Sequence, residues 1–301
     1  MTEPIYYPPR VFGGLFAPDT EFQRSKVVVL PVPYDSTTSY KTGAREGPQA
    51  IIDASGNMEL FDVEFGRELH TIGIHTMPDL QPAVNDPTDM VNRVYFAVSS
   101  LLKQEKTVIM LGGEHSLSPG AVRAYKEKYP DLSVLHLDAH ADMREEYLGS
   151  KFSHACSARR ILDHCPLVQA GVRSMSIEEH EFIRAAGIKS YPLHEWPVTP
   201  ELVQQIASLL SDNVYISVDL DVLDPSIMSA VGTPEPGGLQ WQELLAILKG
   251  VADRHRIVGF DIMELSPKEG PTACAYTAAK LTYKLMGYAI DSEARSSKEY
   301  R

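Results

Sequence analysis

Short runs of aliphatic and β-branched residues alternate along the chain with longer stretches whose apolar positions recur at helical spacing. The runs 26–31 (KVVVLP), 107–111 (TVIML), 133–138 (SVLHLD), 168–172, 214–219 (VYISVD) and 256–262 (RIVGFDI) predict strands. The amphipathic stretches 89–104, 117–128, 200–210, 241–253 and 274–286 predict helices. Strands this apolar, separated by helices, imply βαβ units and a parallel sheet covered on both faces. One α/β domain over 1–301 accounts for the chain, with its core at about 24–290. The polar tail at 291–301 is expected to be frayed or bound at an interface, with no chemistry of its own.

Composition changes this picture little. Hydrophobic residues make up 44% and charged residues 23%, an ordinary globular balance. No run reaches the ~18 consecutive apolar residues of a membrane helix, so no membrane partner is expected. The first ten residues, MTEPIYYPPR, lack the apolar centre of a secretory signal, which points to the cytoplasm. The three cysteines, Cys156, Cys165 and Cys274, are odd in number, with no C-x-x-C pair, and read as ordinary reduced thiols. A formal net charge of −12 argues against nucleic acid and is compatible with a small cationic substrate.

Ligands of open parallel sheets sit beyond the carboxyl ends of the strands, and three predicted ends carry metal-ligand chemistry. The first reads Leu111-Gly-Gly-Glu-His115, where two glycines permit a close backbone approach and present His115. A lone histidine after a strand is more often structural than functional. The second reads His136-Leu-Asp138-Ala-His140-Ala-Asp142. In an extended chain Asp138, His140 and Asp142 share one side, and that many ionisable groups are costly to bury without a cation. His136 lies deeper and reads as a packing or ligand-supporting group. The third reads Ser217-Val-Asp219-Leu-Asp221-Val-Leu-Asp224-Pro225, with Asp219 and Asp221 again paired and Asp224 as a turn residue. Four carboxylates and two imidazoles exceed what one catalytic zinc takes, and suit two divalent ions that share carboxylates. So oxygen-rich a set favours manganese.

These motifs, with Pro33-Tyr-Asp-Ser-Thr, the segment 42–51 (TGAREGPQAI) and the segment 259–267 (GFDIMELSP), resemble the ureohydrolase family of arginases and agmatinases. The resemblance spans most of the chain and implies a three-layer αβα sandwich around a mainly parallel sheet. It also implies two Mn2+ per chain, one held by His115, Asp138, Asp142 and Asp219, the other by Asp138, His140, Asp219 and Asp221. Asp138 and Asp219 would bridge. By the same resemblance His154 is a proton shuttle, Asp142 a possible first proton acceptor, and Glu264 the grip on a substrate guanidinium. Family analogy suggests a homo-oligomer, a trimer or a hexamer. Within the family the chain is more similar to bacterial agmatinases and aminopropylagmatine ureohydrolases than to arginases. It departs from many agmatinases after the loop histidine, where it reads His154-Ala-Cys-Ser-Ala-Arg-Arg160.

The expected reaction is agmatine plus water to putrescine plus urea, with N1-aminopropylagmatine, giving spermidine and urea, as the near alternative. Glu145 and Glu146, in the loop 143–153, either meet the distal ammonium of such a substrate or simply face solvent. Guanidinobutyrate, formimidoylglutamate or arginine on the same metals would instead call for a basic tail pocket, with Arg144 or Lys151 as candidates. A non-catalytic metal-binding protein predicts missing ligands, and a single-zinc deacetylase predicts fewer carboxylates.

Overall fold

In β1 (Val27–Val32) every residue is buried, yet successive residues serve different cores. Val27 and Val29 enter one apolar cluster, whereas Val28, Leu30 and Val32 enter another. That is the signature of a strand covered on both faces. A computed structural model describes residues 10–193 and 197–299; apart from Arg10, the N-terminal segment read above as signal-free lies outside the described residues.

Along the chain follow α1 (Gly47–Ser55), a small hairpin of β2 (Phe61–Asp62) and β3 (Arg67–Glu68), then β4 (Ile74–Thr76) and α2 (Pro87–Leu102). Next come β5 (Thr107–Gly112), α3 (Ser118–Lys128), β6 (Ser133–Leu137), α4 (Ser157–Leu162), β7 (Leu167–Ala170), α5 (Ile177–Ala186) and β8 (Lys189–Tyr191). The chain ends with α6 (Pro200–Ser208), β9 (Asn213–Asp219), α7 (Trp241–Ala252), β10 (Arg256–Met263) and α8 (Ala273–Glu299). Eight strands form one sheet in the order β4-β1-β5-β10-β9-β6-β7-β8, and their pairings are parallel. Residues of α1, α6, α7 and α8 line one apolar cluster, and residues of α2, α3, α4 and α5 line the other. The expected three-layer αβα sandwich is therefore the observed architecture.

The six predicted strands and five predicted helices form. Seven elements were not predicted: α1, the two-residue strands β2 and β3, and β4, β8, α4 and α5. β4 and β8 have three residues each at the two edges of the sheet, too short for a periodic signal. α4 spans six residues. α5 carries few apolar positions and is defined by its ends: Ser176 and Glu179 form a capping box, and Gly187 closes it in the left-handed region at φ 68°.

The polar tail was expected to be frayed or bound at an interface; α8 continues through it to Glu299. The reason is specific docking on the amino-terminal edge of the sheet. Ser292 accepts from the Ile257 backbone N–H at 3.0 Å. Glu293 pairs with Lys26 at 2.7 Å and with Arg256 at 2.9 Å. Burial and ion pairing supplied from distant segments are absent from any local reading of a polar stretch.

Candidate metal centre

The order of the sheet assembles the site. β5, β10, β9 and β6 are consecutive neighbours although β9 and β10 come last in the chain. Their carboxyl ends carry His115, Glu264, Asp219 with Asp221, and Asp138 with His140 and Asp142. The turn after β5 is tight because Gly113 donates to Val32 O at 2.9 Å and packs on Tyr34. A Cβ on Gly113 would stand 1.9 Å from the Tyr34 carbonyl oxygen, so no other residue fits there. Asp142 and Glu264 adopt φ of 51° and 67°, in the left-handed region. Non-glycine residues hold that conformation at a cost of about 1–3 kcal/mol, a strain typical of functional positions.

All six expected ligands converge. Nδ1 of His115 lies 3.0 Å from Asp138 Oδ2, 3.3 Å from Asp219 Oδ2 and 3.7 Å from Asp142 Oδ2. Nδ1 of His140 lies 2.8 Å from Asp221 Oδ2 and 3.6 Å from Asp138 Oδ1. Two sets of candidate ligands lie with their ligand atoms within 4.8 Å, His115, His136, Asp138 and Asp142 in one and Asp138, His140 and Asp221 in the other; Asp219 is in neither, and joins the cluster through its Oδ2, 3.3 Å from His115 Nδ1. Asp138 belongs to both, as a bridging carboxylate must. The inner oxygens are held by the backbone: Asp138 Oδ1 accepts from His140 N at 2.6 Å, Asp219 Oδ1 from Asp221 N at 2.9 Å, and Asp221 Oδ1 from Ala139 N at 3.0 Å. Asp224 is the turn residue expected, accepting from the backbone of Ser226, Gly237 and Gly238.

The donor set fits a pair of cations. His115 Nδ1, His136 Nε2 and Asp138 Oδ2 are buried without a hydrogen bond, an arrangement that polar groups tolerate only when another partner satisfies them. Burial, reinforced by Asp138, holds the Asp142 carboxyl well above the usual carboxylate range. Burial, with Asp221 and Asp138 as neighbours, does the same to Asp219. Burial alone would lower His115, but the neighbouring carboxylates of Asp138 and Asp219 hold it well above the ordinary imidazole range. So much crowded negative charge favours positive charge at this point, and two divalent ions would supply it.

Residues that sequence reasoning missed hold the ligands in place. Nε2 of His115 lies 2.8 Å from Ser217 Oγ, which donates to Asp261 Oδ1 at 2.8 Å. Asp261 Oδ2 accepts from Tyr215 O–H at 2.9 Å. With Nε2–H donated to Ser217, Nδ1 is the ring nitrogen left to face the carboxylate cluster. The ring of His136 stacks on that of His115 at 4.8 Å and 4°, and burial together with the charge of His115 pushes it down to about 3. It is thus a neutral wall, as its deep place in β6 suggested. Ser217→Ala is expected to weaken metal affinity about 10- to 100-fold while leaving the far-ultraviolet circular dichroism spectrum unchanged, as a metal titration would show.

A cavity of about 290 Å3 opens over this cluster. Its lining includes His115, His140, Asp142, His154, Asp219 and Glu264, together with Arg144, Tyr147, Glu179 and Lys41. Glu264 Oε1 accepts from the His115 backbone N–H at 2.7 Å, and burial, aided by the nearby Glu114, pushes the carboxyl up to about 8. Burial pushes His154 down to about 4. Glu145 and Glu146 are not brought into the lining. Glu145 is exposed and faces Lys151, Arg159 and Arg160 at 3.1, 3.0 and 3.0 Å, and Glu146 is exposed. Of the two candidate basic residues, Arg144 reaches the lining and Lys151 does not.

A family model described as the arginase family matches residues 25–287. The chain belongs to the arginase family. An N(1)-aminopropylagmatine ureohydrolase of Thermus thermophilus is 38% identical over 270 residues, 89% of this chain and 92% of that protein. An agmatinase of Pyrococcus horikoshii is 34% identical over 277 residues, 90% of this chain and 94% of that protein. The crystal structure of the agmatine ureohydrolase of Thermoplasma volcanium matches with a TM-score of 0.82 and 32% identity, over 94% of this chain and 96% of that one. Arginase-family enzymes depend on a binuclear metal site, and the buried His/Asp cluster is the corresponding feature here. This member is a ureohydrolase, a hydrolase acting on the C–N bond of a guanidino group. The reading of the sequence as a ureohydrolase thus stands.

Proposed function

We propose that the chain, acting as a single ureohydrolase domain, hydrolyses agmatine to putrescine and urea with two Mn2+ per chain. The observation that carries this reading is one cavity lined jointly by the metal-ligand cluster, Glu264 and His154. His115, Asp138, Asp142 and Asp219 would hold one ion and Asp138, His140, Asp219 and Asp221 the other. When bound, the pair would supply Lewis acidity and lower the pKa of water at the site.

The residues of the chain do the rest. Glu264, whose burial favours the protonated acid until a cation lies beside it, would ionise opposite the guanidinium, accept paired hydrogen bonds from it and orient its carbon for attack. The stoichiometry then sets the proton problem. R–NH–C(NH2)2+ plus water gives R–NH3+ plus urea, so both protons of the water end on the departing nitrogen. In this reading Asp142 accepts the first, and His154 relays protons to the amine, which leaves only once protonated. A neutral imidazole, favoured by burial, is the form able to take up a proton.

The tail favours an amine over a carboxylate. The two basic side chains of the lining each face an acid, Arg144 to Glu179 at 3.8 Å and Lys41 to Glu269 at 3.4 Å. A second reading, N1-aminopropylagmatine giving spermidine, is favoured by the higher identity to the relative bearing that name. We also infer a homo-oligomer, a trimer or hexamer by family analogy, with no nucleic-acid or membrane partner. Three buried free thiols support a cytoplasmic location. A urea-release panel with the manganese-loaded protein tests the substrate. Agmatine or aminopropylagmatine is expected to turn over fastest; faster hydrolysis of L-arginine or guanidinobutyrate would overturn the amine reading.

A further inference from the structure

The segment 33–39 (PYDSTTS) contributes no metal ligand, yet it is fastened to the turn that carries His115. Glu114 is fully buried in that turn, and its carboxylate is bonded to Thr37. Oε2 accepts from Thr37 N at 2.6 Å; Oε1 accepts from Thr37 Oγ1 at 2.6 Å and from Ser116 Oγ at 2.5 Å. The Glu114 N–H in turn donates to Tyr34 O at 2.8 Å. Thr37 is thereby gripped at both its backbone and its hydroxyl.

The far side of the same hydroxyl meets His154. Thr37 Oγ1 accepts from the His154 backbone N–H at 2.9 Å and lies 3.4 Å from its Nδ1. A hydroxyl has one proton and two lone pairs. The proton goes to Glu114 Oε1, and one lone pair receives the His154 backbone N–H. What remains to face Nδ1 is a lone pair, so the complementary state of Nδ1 is N–H. Ser153 Oγ, at 3.3 Å, can accept from the same nitrogen. Nε2 is then the nitrogen with a free lone pair, beside Ser39 Oγ at 3.4 Å, on a ring that lines the cavity. Neighbours that settle which ring nitrogen carries the proton set what a histidine can do.

We propose that Thr37 and Glu114 are positioning residues that hold His154 as its Nδ1–H tautomer, leaving Nε2 to carry protons to and from the reacting group. The inference rests on the reading of His154 as the proton shuttle. Neither residue touches substrate; they act through the imidazole. The chain of contacts also gives a purpose to Pro33-Tyr-Asp-Ser-Thr, which spacing arguments left without chemistry.

The test compares Thr37→Val, Thr37→Ser and His154→Ala in the full-length, manganese-loaded enzyme, with metal content measured for each. Thr37→Val keeps the shape and the N–H bond to Glu114 but removes the hydroxyl. It is expected to lower kcat by at least about 10-fold, part of the ~10²- to 10⁴-fold typical of acid–base catalysis, at unchanged KM and metal content. Thr37→Ser is expected to restore kcat to within a few-fold, and free imidazole to rescue His154→Ala but not Thr37→Val. An unaffected kcat in His154→Ala would remove the shuttle reading itself. A large loss in His154→Ala beside normal kcat in Thr37→Val would sink only the positioning proposal. So would a Thr37→Val defect that appears solely as lost metal or raised KM.

Discussion

Asp138→Asn is expected to reduce kcat/KM by about 10²- to 10⁴-fold and to lower bound metal below two ions per chain. The magnitude follows from breaking a buried charged cluster, about 3–5 kcal/mol, at 1.36 kcal/mol per tenfold. Asp138 is fully buried, stands in both ligand sets, and faces His115, His136 and His140. Asparagine keeps the size and can keep the hydrogen bond from His140 N, but it presents a neutral oxygen to both positions. Elemental analysis and steady-state urea release check the two halves together. A variant that retained two ions and full activity would show that the shared carboxylate is not needed.

Glu264→Gln is expected to lower kcat/KM by about 10²- to 10³-fold, the loss of two charge-assisted hydrogen bonds at roughly 1.5–3 kcal/mol each, partly offset by the surviving amide oxygen. Metal content is expected to stay at the wild-type level, because Glu264 is not among the ligand sets. That separates it from the Asp138 variant. The amide can still accept from His115 N–H, so the turn after β5 keeps its shape. The same assay with metal analysis decides the matter: a fall in bound ions equal to that of Asp138→Asn would mean that Glu264 serves the metals and not the guanidinium.

The ligands were legible because each motif is local. Asp138, His140 and Asp142 repeat at every second residue, as do Asp219 and Asp221, and both sets follow apolar strands. What supports them was not. Ser217 and Asp261 are 44 residues apart and meet only because β9 and β10 pair with Asp261 beside Ser217. Thr37 and Glu114 are 77 residues apart and meet because the segment after β1 crosses over the end of β5. Glu145 was open between the cavity mouth and solvent; it is exposed, and Arg159 and Arg160, on α4, pair with its carboxylate.

The periodicity of the chain by itself determined the class of fold, the strands and helices long enough to repeat, and the carboxylates and imidazoles that stand beyond the strand ends as candidate ligands. Those features depend on which face a residue occupies within one element, and the order of side chains along a strand or helix contains that information. The tertiary structure alone decided that β9 and β10 insert between β5 and β6, that the polar tail docks as the end of α8, and which hydroxyls and acids orient His115 and His154. These depend on pairings between distant segments, where burial sets the energy of a polar group and no local pattern records its partner.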